Sequence, residues 1–135
     1  MNITLEQAER VLHAALAAAT ETGVPSTIAV LDTGARIVAL ARQDGAPLVS
    51  VDSSIAKART SVFFGGAATA DLATAVQPGA PLFTLGDATA DQLAFLGGGL
   101  PLLDADGHLI GAVGSGGGTP DQDIVVAQAA TASLR

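Results

Sequence analysis

Two short stretches constrain this chain more than any others. Residues 27–42, TIAVLDTGARIVALAR, and residues 100–113, LPLLDADGHLIGAV, each set two apolar runs on either side of an Asp- and Gly-containing turn. Both patterns predict a β-hairpin. A lone hairpin is only marginally stable in water, so each must be covered by other elements.

The rest of the chain supplies helices to cover them. Thr4-Leu5-Glu6-Gln7 fits a capping box, with Thr at the cap and Gln three residues later. Leu5, Ala8, Leu12, Ala15 and Ala19 then recur at steps of three and four, predicting a helix that ends near Gly23-Val24-Pro25. A second helix follows Asp44-Gly45-Ala46-Pro47, with Leu48, Val51, Ile55, Ala58 and Val62 as its expected buried face and Gly65-Gly66 as its stop. Thr69 to about Val76 reads as a short helix. Leu82 to Leu85 suits extended chain, and Thr89 to Gln92 suits the start of one more turn. A last helix runs from Pro120 towards Arg135. With no linker, composition break or repeat, residues 1–135 form one domain. The order helix, hairpin, helices, hairpin, helix predicts an antiparallel sheet with helices packed on it, an α+β fold.

Composition excludes several functions. Six basic against 13 acidic residues give a net charge of −7, the wrong sign for nucleic acid, which needs clustered Lys and Arg. Four Phe with no Trp or Tyr leave no platform for stacked bases. No apolar run reaches the roughly 20 residues of a membrane helix, and no basic stretch precedes an apolar one at the N-terminus, so the expected location is cytoplasmic. With no cysteine, disulfides and thiolate chemistry are excluded. The carboxylates show no His/Asp/Glu cluster at metal spacing, so no metal site is expected. A chain this apolar, at mean hydropathy +0.48, is expected to hide surface in a homo-oligomer.

The segment GSGGGTPDQD, residues 114–123, imitates a phosphate loop. Asp121 and Asp123 occupy the first turn of the helix it opens, where an incoming phosphate would be repelled, and no Lys follows the glycines. Thr119, Pro120 and Gln122 instead make a capped helix start. Gly116 and Gly117 are thus assigned to close backbone packing or to a closely approached ligand.

Together with DTGARIVALARQDGAPLVSVDSSIAKARTSVFFG (32–65) and GGGLPLLDADGHLIGAVGSGGGTPDQD (97–123), that loop resembles the GlcG/HbpS family, which includes the C-terminal domain of the PduO proteins. The resemblance covers nearly the whole length. It implies a profilin-like or PAS-like antiparallel sheet flanked by helices, assembled as a homo-oligomer. It also implies binding of haem or a related tetrapyrrole, with haem handling or degradation as the role. The competing expectation is an enzyme performing isomerase, hydrolase or lyase chemistry on a small molecule.

The ligand-bearing residues are few. Haem ligation falls to two His, of which His13, at the edge of the apolar stripe of the first helix, is the axial candidate; His108 sits in a hairpin turn. On the second helix, advancing about 100° per residue, Arg59 falls at the edge of the apolar face and Lys57 about 160° from Ile55, beside Ser53 and Thr60. Arg59 is expected to reach a carboxylate from Asp32, Asp44, Asp121 or Asp123, or from a ligand; a structural ion pair is the alternative. In the enzyme reading Arg42, Lys57, Arg59 and Thr60 line the ligand, while Asp44 or Asp121 moves a proton beside Arg59. Asp44 equally suits a turn cap.

Overall fold

The computed structural model describes residues 1–135. Helix α1 (Leu5–Thr22) precedes strands β1 (Thr27–Asp32) and β2 (Ile37–Arg42). Helix α2 (Val49–Phe63) and the single turn α3 (Thr69–Leu72) follow. Two 3₁₀ turns, Thr74–Val76 and Leu85–Ala88, lead to β3 (Gly99–Leu103), β4 (Leu109–Gly116) and helix α4 (Pro120–Ala132). The strands form one antiparallel sheet in the order β2-β1-β4-β3, the expected α+β architecture. Pro101, which cannot donate to a ladder, sits in the edge strand β3.

Alternation along β1 divides the core. Ile28 and Val30 face α1 and α4, meeting Val11, Ala15, Val126 and Ala130. Ala29 and Leu31 face the other way and meet Ala58 of α2. The sheet therefore lies between α1 and α4 on one side and α2 on the other. Both long outer helices start on complete capping boxes, Thr4 with Gln7 and Thr119 with Gln122.

The two hairpins close with one device. Asp32 accepts hydrogen bonds from the Gly34 and Arg36 amides; Asp104 accepts from the Asp106 and His108 amides. In each, the fourth residue of the turn is left-handed: Gly107 in the second, but Ala35, at φ 59°, in the first.

Three expectations are corrected. The extended stretch at 82–85 and the helical turn at 89–92 do not form; a 3₁₀ turn covers 85–88. The glycines after Val113 do not end the strand, because β4 runs on through Gly114-Ser115-Gly116 in register with Gly99 and with Ile28 and Thr27. Helix α2 buries its expected stripe only in part. Ala58 is fully buried and Ile55 and Val62 pack half-buried against the sheet, but Leu48, just before the helix, is 82% exposed, and Ser50, Ser54, Lys57 and Ser61 take the remaining buried positions. One cause explains the last two. A Cβ at Gly114 would overlap the Ser54 carbonyl oxygen, and one at Gly116 would overlap the Ser53 hydroxyl. Helix and strand touch backbone to backbone, and only small residues fit between them.

Candidate functional site

At the end of the sheet where β3 begins and β4 finishes, the side chain of Lys57 crosses from α2 to the start of α4. Its Nζ donates to Asp123 Oδ2 at 2.7 Å and to the Ser115 carbonyl at 2.9 Å. The other Asp123 oxygen accepts the Gly118 amide at 3.0 Å. Both side chains are 2% exposed. The crossing needs a gap, and Gly98 provides it: a Cβ there would stand 3.0 Å from Nζ and 2.9 Å from the Asp123 Cβ.

This pair borders a cavity of about 260 Å³, walled by Pro47, Val49, Ser53, Leu96, Gly117 and Gly118. Ser53 has only a long 3.5 Å contact to the Ser50 carbonyl, so its hydroxyl is nearly free. An ammonium, a carboxylate and a hydroxyl thus converge on a small recess. Such a set can bind a polar molecule and hold or move a proton.

The expected site residues are redistributed. Lys57 and Gly117 border the cavity, and Gly116 lies behind it against α2. Arg59, expected to reach a carboxylate, instead donates to the Gln92 carbonyl at 2.9 Å. Thr60 accepts the Ala94 amide and donates to the Ala56 carbonyl. These two residues anchor the 92–94 segment and face no ligand recess of their own. Arg42 is exposed on edge strand β2. Asp44 is exposed at a separate groove beside Thr20 and Gln43, and Asp121 is exposed outside the cavity. The grouping of Asp44, Asp121 and Arg59 around one ligand is therefore not formed. The carboxylate that borders the cavity is Asp123. Its spacing from Val126, Ala127 and Ala130, all buried, was the signal: positions i+3, i+4 and i+7 share its helix face.

A second cluster departs from expectation. Asp104, Asp106 and His108 bring their ligand atoms within 4.8 Å of one another on the outer hairpin. The Asp104 carboxyl is held below its ordinary value of 3.8, chiefly by the His108 amide; desolvation opposes this, and the Asp106 amide and the His108 ring add to it. The carboxylate is thus already engaged by its own turn.

Haem finds no enclosure within one chain. His13 and His108 are both exposed, and neither borders any of the five main recesses. The largest recess, about 570 Å³, is edged by Asp52, Asp87 and Asp91, whose charges repel the propionates of a haem. Phe64, just past the end of α2, and Phe95, in the loop before β3, stack edge to face with ring centres 5.8 Å apart, across the sheet from His13. An imidazole ligand and an aromatic wall do not meet in a single copy.

Residues 3–132 match the model of the haem-degrading, HbpS-like proteins. The chain belongs to the HbpS-like family. An uncharacterised 15.0 kDa protein of Citrobacter freundii, from the dhaT–dhaS intergenic region, is 38% identical over 128 residues, covering 95% of this chain and 89% of that one. The corrinoid adenosyltransferase PduO of the same organism is 33% identical over 134 residues, but this HbpS-like chain spans only 39% of its length. Among solved structures, Klebsiella pneumoniae ORFY superposes with a TM-score of 0.91 at 35% identity, over 98% of this chain and 90% of ORFY. PduOC in complex with haem superposes equally well, TM-score 0.91 at 32% identity, over 100% of this chain and 96% of that one.

Proposed function

We propose that this HbpS-like chain binds haem on its surface, with the His13 imidazole as iron ligand and a second copy closing the other side. The observation that carries the reading is the haem complex of PduOC, which is alike over the full length of this chain. His13 lies on the exposed side of α1, where an imidazole is free to ligate. A chain with Leu5, Leu48 and Phe83 exposed has apolar surface to give to a neighbouring copy. Bound haem would supply a redox-active iron, and the His13 imidazole would hold it.

Titration with hemin tests this. The Soret band is expected to sharpen and shift at a defined stoichiometry, with the shift lost in His13→Ala and kept in His108→Ala. Light scattering is expected to show more than one copy per particle. A spectrum that stays that of free hemin refutes the reading.

A further inference from the structure

The strongest unassigned feature is the ammonium of Lys57. A lysine carries three N–H donors, and only two have acceptors, Asp123 Oδ2 and the Ser115 carbonyl. The third is an unmet donor on a side chain that is 2% exposed. It borders a cavity with the Ser53 hydroxyl and Asp123 beside it. An apolar pair of similar volume would give comparable stability without the cost of desolvating two charges.

We propose that the cavity is a binding site for a small, neutral hydroxycarbonyl compound, whose carbonyl oxygen accepts the third Lys57 N–H and whose hydroxyl donates to Asp123. Size sets the scale. At about 260 Å³ the cavity lies below the roughly 300–1,000 Å³ of pockets that hold drug-sized ligands, so the ligand is small. Charge sets the class. Lys57 and Asp123 cancel, so an anion meets a carboxylate with no surplus cation to offset it, whereas a neutral molecule with adjacent acceptor and donor satisfies both groups. Ser53 supplies a third contact that either donates or accepts. The site shares no residue with the proposed haem ligand, so the two are tested separately.

The test uses the full chain and hydroxyacetone as probe, followed by the backbone amide spectrum. Saturable shifts are expected at Gly117 and Gly118, with a Kd in the millimolar range. Acetone, which lacks the hydroxyl, is expected to bind about five-fold more weakly, the worth of one hydrogen bond. Val49→Trp, at an exposed position on the cavity wall, is expected to block the shifts in a folded protein. So is Lys57→Met combined with Asp123→Leu, which removes both charges together. Any of three results overturns the proposal: no saturable shift in the unaltered chain, undiminished binding by the folded double variant, or tighter binding of lactate than of hydroxyacetone.

Discussion

Gly114→Ala is the sharpest probe of this fold. The added carbon would overlap the Ser54 carbonyl oxygen and stand 2.9 Å from the Ala58 amide nitrogen. Carbon pairs favour about 3.5–4.0 Å, so the Ala58 contact alone asks α2 to retreat by roughly 0.6 Å, and the overlapping Ser54 oxygen asks for more. A gap of that size forfeits about a quarter to a half of each contact across the interface, and this interface joins α2 to the central strands. Overpacking typically costs 1–3 kcal/mol; with backbone on both sides and no side chain to swing away, we expect about 3 kcal/mol, the upper end. At roughly 3–4 °C per kcal/mol for this chain length, Tm falls by about 10 °C. Gly107→Ala is the control. Its φ is +85° and nothing stands within 4 Å, so it costs only the left-handed penalty, about 1 kcal/mol. Urea denaturation of both variants separates the two effects. Equal losses for Gly114→Ala and Gly107→Ala would refute the backbone-contact account.

Three further outcomes follow from the geometry. Lys57→Met alone leaves Asp123 buried and uncompensated and is expected to cost about 3–5 kcal/mol, whereas Lys57→Met with Asp123→Leu recovers most of it; chemical denaturation of both variants measures this. Ala35→Gly relieves the left-handed alanine of the first hairpin and is expected to stabilise by up to about 1 kcal/mol, read as a raised denaturation midpoint. Asp104 has a depressed folded-state pKa. Its contribution is therefore present above the ordinary value of 3.8 and lost as pH falls through the lower folded value. The stability gap between the unaltered chain and Asp104→Ala should be constant near neutrality and narrow in acid.

The hairpins, α1 and α4 were legible because their signals are local: turn carboxylates, capping boxes and periodic apolar residues. Helix α2 was legible as a helix but only partly in its orientation. Ala58 is buried as the period predicts, while Val51, Ile55 and Val62 stay half-buried and Ser50, Ser54 and Ser61 take the fully buried places against the sheet. That placement comes from Gly114 and Gly116, some sixty residues away, and glycines usually read as the end of a strand. The site had the same difficulty. Lys57 and Arg59 were both visible as cations, but which one turned inward depended on the gap at Gly98. Residues 82–98, with mixed apolar and turn-forming residues, carry no period, and neither the extended stretch at 82–85 nor the turn at 89–92 forms.

Helices on opposite faces of a sheet ordinarily sense each other only through the strands. Here the ammonium from one layer sits against the carboxylate of the other, so peeling either helix away strands a charge in the remainder. Half-assembled species are thereby penalised from both sides. Denaturation should be all-or-none, with amide hydrogen exchange in α2 and α4 limited by the same opening event.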